Sequence, residues 1–231
     1  MKPFNSYKNP ALAVDLVVFG YQGESLSVLL LNRKDEPFKD QWTLPGGFLQ
    51  MEETFKDTCA RILLTKLGIN NLYTEQLFSF DDINRDPRGR VISVSYFTLI
   101  NPKRFALVTG SMANDVKWFN IAKLPALGFD HRHIFKIALE RLRAKIQYNP
   151  VGFELLNEKF TLPELHQLYE QVLDFPIDRR NFRRKILDSG FISSTGEKKT
   201  GAQNRHPDIY MFNKQLKSNQ FHLNLQSPAK D

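Results

Sequence analysis

Apolar residues recur along this chain at two spacings, and the switches between them mark its elements. Residues 11–19 and 25–31 are apolar and β-branched, and Gly20 to Glu24 between them supplies turn formers, so the chain opens on a β-hairpin. A polar stretch, 33–42, leads to Leu44, Pro45, Gly46 and Gly47, where the paired glycines permit a tight backbone turn. Phe55, Cys59, Ile62, Leu63 and Leu67 then follow at steps of three and four, which predicts an amphipathic helix closed by Gly68. Strand spacing returns at 73–80, 91–100 and 115–121. Asp130 stands where it can cap a long helix with Ile134, Ile137, Ala138, Leu142 and Ile146 on one face.

Asn149 and Pro150 end that helix, and the pattern changes character. Thr161 to Glu164 is a capping box with proline in the first turn, opening a helix with the stripe Leu165, Leu168, Tyr169, Val172 and Leu173. After the turn 175–178, with Asp178 as the next cap, residues 179–190 form a second helix in which Phe182, Ile186 and Leu187 face inward. Residues 191–192 and 208–212 flank a long basic tip and read as a β-hairpin. The expected organisation is a domain over 1–148, a second over 149–225 and a disordered tail over 226–231.

Composition narrows the function classes. No run approaches the roughly eighteen apolar residues of a membrane span, and the start lacks a signal-peptide core, so a cytoplasmic protein is expected. The single cysteine, Cys59, excludes a disulfide or thiolate cluster within one chain. The formal net charge is +7, and the twenty-eight residues from Asp178 to Arg205 hold eight basic residues against three acids, +5 of that total. Arg179 with Arg183, and Arg180 with Arg184, stack like charges at i, i+4, an arrangement that calls for an external anion. Helix, turn, basic helix and basic hairpin is the winged helix-turn-helix order. The DNA-binding candidates are Arg179, Arg180, Asn181, Arg183, Arg184, Lys185, Lys198, Lys199 and Arg205. A basic helix with a solvated face is the alternative.

The stretch from Gly47 to Ile69 resembles the Nudix family, whose signature is Gly, five residues, Glu, seven residues, Arg-Glu, apolar, any, Glu-Glu, any, Gly, apolar. Gly47, Glu53, Arg61, Leu63, Gly68 and Ile69 fall on that frame, and Arg33 and Trp42 match the preceding loop. Ile62, Thr65 and Lys66 occupy the places of three glutamates. In the family those carboxylates converge on Mg²⁺ against a diphosphate, so the resemblance implies a kept scaffold without its catalyst. The segment 85–90, Arg-Asp-Pro-Arg-Gly-Arg, is similar to the corresponding part of ADP-ribose-type Nudix proteins, and reads equally as a charged hairpin loop. His131 and His133 point to different sides of a helix, which favours structural or hydrogen-bonding roles over metal ligation.

With a winged helix attached, nearly the whole chain resembles the Nudix-related transcriptional regulators. That resemblance implies an α/β (α+β) Nudix-like α/β/α sandwich followed by a C-terminal winged helix-turn-helix, a homodimer on double-stranded operator DNA, and a small-molecule effector. No cofactor or resident metal is expected. The family's sugar-linked branches place a pentose first, L-arabinose ahead of others, and make the chain a regulator of carbohydrate use. The alternatives are an ADP-ribose-responsive regulator of NAD metabolism, an active Nudix pyrophosphohydrolase, and a nucleic-acid scaffold without effector. Effector-binding candidates are Arg33, Lys34, Trp42, Gln50, Glu52, Asp81 and Tyr96.

Overall fold

The computed structural model describes residues 8–22, 24–69, 72, 74–105, 107, 113–200, 206–213, 223 and 225. It divides into two compact units, Met1–Val18, Val28–Thr98 and Phe105–Ala138 forming one, Phe19–Ser27, Leu99–Arg104 and Leu139–Asp231 the other. The expected tail, 226–231, lies outside the described residues, as does Arg205.

The N-terminal elements are β1 (Ala11–Gln22), β2 (Ser25–Arg33), β3 (Trp42–Thr43), β4 (Gly46–Phe48), α1 (Phe55–Leu67), β5 (Glu75–Phe80), β6 (Val91–Ile100), β7 (Ala113–Asn120) and α2 (His131–Lys145). The strands form one seven-stranded sheet in the order β3-β2-β1-β6-β5, with β4 on β1 and β7 on β2. β1 and β2 read as continuous apolar runs because they are central strands with both faces covered. Asp15 is the one charge inside the β1 run, and it is buried.

Gly46 and Gly47 differ from the expected turn. They form β4, antiparallel to β1 with Asp15 opposite Gly46 and Val14 opposite Gly47. Glycine is needed for closeness: a Cβ on Gly46 would sit 2.5 Å from Asp15 Oδ1 and 3.0 Å from the Val14 carbonyl oxygen. α1 is capped by a reciprocal Thr54/Asp57 box and ends on Gly68 at φ 69°, with Ile69 N–H reaching back to the Leu63 carbonyl at 3.0 Å. Its inward face is Thr58, Cys59, Ile62, Leu63 and Leu67, while Phe55 is half-buried. Burial pushes the Cys59 thiol up to about 12, so it is an inert core group. α2 begins at His131, but the Asp130 carboxylate, expected as its cap, is taken by a buried arginine described below.

In the second unit a 3₁₀ turn at Val151–Leu155 precedes β8 (Lys159–Thr161), α3 (Leu162–Leu173), α4 (Arg179–Asp188), β9 (Ile192–Lys198) and β10 (Asp208–Phe212). The capping box at Thr161 and Glu164, the α3 stripe and the Asp178 cap all form as the sequence predicts. The hairpin is wider than expected, since β8 adds a third strand in the order β8-β10-β9. Thr161 is both the last residue of β8 and the cap of α3, so strand and helix meet without a linker. Arg143 donates to the Val172 carbonyl and to Asp174 Oδ2, both at 2.9 Å, and so satisfies an end carbonyl of α3. Among the described residues, no helix is long and apolar enough to cross a membrane.

Candidate effector pocket and nucleic-acid interface

β1, β4, α1, the β5–β6 loop and the loop before α2 enclose a cavity of about 380 Å³ in the first unit. Its floor is an ion cluster. Arg85, with a side chain only 4% exposed, donates to Asp15 Oδ2 at 2.8 Å and grips Asp130 through Nε at 2.9 Å and Nη2 at 2.8 Å. Ser93 Oγ donates to the same Asp15 oxygen at 2.7 Å. His131 Nδ1 accepts the Leu44 N–H at 2.9 Å, which places the ring proton on Nε2, 3.3 Å from Asp15 Oδ1. Burial by itself raises the Asp15 carboxyl, but His131, Arg85 and Ser93 together hold it far below the usual carboxylate range.

The segment 85–90 is therefore more than a solvated turn, because Arg85 and Asp86 both fold inward. Asp86 accepts from Arg88 Nε at 3.0 Å and Nη2 at 2.7 Å. The Arg88 guanidinium in turn lies 5.1 Å from the Phe48 ring centroid and 5.8 Å from that of Phe129. Arg33 covers Phe129 at 5.1 Å. Phe129 stands at φ 56°, a left-handed conformation that a bulky aromatic adopts only when its surroundings hold it there. Phe38, 4.6 Å away centroid to centroid, is one of those surroundings.

Two further cations line the cavity from α1, Arg61 and Lys66. Arg61 makes a fork with Glu53, Nη2 to Oε2 at 2.7 Å, and this hydrogen bonding holds Glu53 down at about 2. Lys66 Nζ donates to the Gly46 carbonyl. Burial, then repulsion from Arg33 and Arg61, pushes the Lys66 amine down against the pull of Asp15. Arg33 donates to the Pro37 carbonyl at 2.8 Å, so these two cations bond to main-chain oxygens rather than to carboxylates.

Of the residues expected to bind an effector, Arg33 lines the cavity. Lys34, Gln50, Glu52 and Asp81 are exposed and outside its lining. Trp42 packs on Phe119 at 4.6 Å, and Tyr96 is buried with its hydroxyl 3.4 Å from Gln76 Oε1. Asp15, Arg85, Arg88, Phe129 and His131 were not among those candidates, and the signal for the first was a lone carboxylate in an apolar strand. The three substituted positions diverge as well. Ile62 is wholly buried under Gly47, Thr65 is exposed and donates to the Arg61 carbonyl at 2.7 Å, and Lys66 faces the cavity.

The second unit carries the basic helix. On α4, Phe182 and Ile186 are buried, and the 3.6-residue period sets Arg180 and Arg184 opposite them. Asn181 Oδ1 accepts from Arg184 Nη2 at 3.1 Å and steadies that side chain. Arg179 and Arg183 lie on the flank toward α3, where they line a cleft of about 400 Å³ with His166 and Glu170. The turn between the helices is held through Ile177, whose carbonyl meets His166 Nε2 and whose N–H meets Glu170 Oε1, both at 2.8 Å. Lys185 is half-buried and Lys198 is exposed on β9. Lys199 is engaged by Glu164 at 2.7 Å, which lowers its share of any free positive surface.

Known proteins share both halves of this arrangement. The NUDIX domain family matches residues 9–137, and the family described as NrtR DNA-binding winged helix domain matches residues 152–212. The chain is 34% identical over 212 residues to the ADPR responsive transcriptional repressor NtrR of Acinetobacter baylyi, covering 90% of this chain and 84% of that protein. It is similar to the crystal structure of Shewanella oneidensis NrtR complexed with a 27mer DNA, at 33% identity and a TM-score of 0.79, over 93% of this chain and 98% of that one. The NUDIX domain of Shewanella oneidensis NrtR, in a cocrystal structure with ADP ribose, matches 61% of this chain and 94% of its own at 34% identity and a TM-score of 0.55.

Proposed function

Because the chain belongs to the NrtR-type family of Nudix-related transcriptional regulators, we propose that it is a DNA-binding repressor released from its operator by ADP-ribose. The observation that carries the effector is the cavity lining: Arg33 and Lys66, bonded to main-chain carbonyls and not to carboxylates, face one space beside the rings of Phe48 and Phe129, while the other lining cations, Arg61, Arg85 and Arg88, are paired with acids. A neutral pentose has no use for such a charge, whereas a diphosphate does, and aromatic faces suit the apolar side of a ribose or a base. The order of effectors expected from the sequence is accordingly reversed. None of the relatives named above has arabinose or carbohydrate use in its name, and two of those three carry ADPR or ADP ribose.

The repressor acts as a dimer in the cytoplasm, with α4 in the major groove and the β9–β10 hairpin on the flanking backbone. Its Nudix domain binds without hydrolysis, since Ile62, Thr65 and Lys66 supply none of the carboxylates that hold the metal in metal-assisted attack, and the Thr65 hydroxyl is turned to the Arg61 carbonyl. A mobility-shift titration with genomic fragments flanking the gene tests the whole reading. Expected is sequence-specific retention reversed by ADP-ribose and untouched by L-arabinose or D-xylose. Release by a pentose alone, or turnover of ADP-ribose with Mg²⁺, would overturn it.

A further inference from the structure

The cavity does not fit the divalent metal that a Nudix fold implies. The two carboxylates that line it are already engaged, Asp15 by Arg85 and Ser93 and Asp86 by Arg88, and so are two beside its lining cations, Asp130 by Arg85 and Glu53 by Arg61 and Thr58. Among the described residues, no group of three or more His, Cys, Asp or Glu could hold a metal ion. A hard cation entering here meets ammonium and guanidinium groups where it needs anionic oxygen.

We propose that the pocket takes its diphosphate ligand as the metal-free anion, with the Lys66 ammonium and the Arg33 guanidinium in the place that divalent cations hold in Nudix hydrolases. This rests on the ADP-ribose reading above and concerns the same cavity. Lys66 sits at a position whose family carboxylate would hold the metal, and its side chain reaches into the cavity from α1. One of its three N–H bonds is spent on the Gly46 carbonyl, which anchors the ammonium to β4 and leaves two donors for phosphate oxygens. Arg33 uses Nε on the Pro37 carbonyl, which leaves its terminal nitrogens to meet the ligand, and its guanidinium lies 5.1 Å from the Phe129 ring centroid.

The experiment is calorimetric titration of the full-length chain with ADP-ribose in EDTA and again with Mg²⁺. The expected result is equal affinity in the two buffers, or weaker affinity with Mg²⁺, which competes for the free diphosphate. Lys66→Met should lose about ten- to a hundredfold in EDTA, the range for removing a charged hydrogen-bond donor. Lys66→Glu should bind only when Mg²⁺ is added, a reversal that mere misfolding does not produce, and the melting temperature of each variant controls for folding. Binding by the unaltered protein that needs Mg²⁺ would sink this inference and leave the repressor reading intact. No binding in either buffer would sink the ADP-ribose reading itself.

Discussion

Arg85 holds two carboxylates from different elements, Asp15 of β1 and Asp130 ahead of α2, and its side chain is almost sealed from water. Removing it leaves the buried Asp15 and the half-buried Asp130 without their arginine, so Arg85→Ala should cost about 3–5 kcal/mol in urea unfolding, far more than Arg90→Ala at the exposed end of the same loop. Asp15 supplies a pH signature. Its carboxyl ionises more readily in the folded than in the unfolded chain, so its contribution is complete above about pH 4 and drains away as pH falls through the depressed folded value. Unfolding curves for Asp15→Asn and the unaltered chain should therefore draw together below about pH 4. Constant separation down to pH 2 would show that Asp15 is not held ionised. Sequence reading found none of this pairing, because Asp15, Arg85 and Asp130 lie far apart in the chain and only the folded sheet brings them together.

Elements divide into those whose causes are local and those whose causes are not. α1, α3 and α4 were legible because their signals are local: periodicity and Gly68 for α1, the Thr161 box and its stripe for α3, the Asp178 cap for α4; the Thr54 box of α1 was not read from the sequence. β4 and β8 were not, since three residues carry no period and each strand exists only through its partner. The geometry of α4 carries its own test, resting on the repressor reading. Arg180, on the face away from the core, should read base edges, so Arg180→Ala should cut discrimination between operator and random duplex by about 1–3 kcal/mol. Arg179, on the flank toward α3, should contact phosphate, so Arg179→Ala should weaken all duplexes alike and lower the salt slope by about one. Fluorescence anisotropy over a salt series separates the two, and identical behaviour of both variants would remove the assignment.

At the scale of the whole molecule, two charge concentrations stand in different units: the cavity lining around Lys66 and the α4 face. If ADP-ribose lowers operator affinity by some factor, operator must lower ADP-ribose affinity by the same factor, because both describe one coupling free energy. Paired titrations of the protein with and without saturating operator should return matching ratios, and unequal ratios would mean that release involves a step outside this equilibrium. The order of the two domains, Nudix then winged helix, was legible because each carries a local signature. The effector was not, because its recognition depends on which charges the fold buries together. One buried side chain also bears on descent. Ile62 is fully buried beneath Gly47 where the Nudix signature has a glutamate, so a glutamate returned there would have to be taken out of water. Thr65 and Lys66 line the cavity and could change back one at a time, but position 62 could not change without repacking around it. For the non-hydrolytic binder proposed above, such a replacement would work as a ratchet: once the position has become part of the packing, selection for binding can continue while the road back to turnover closes.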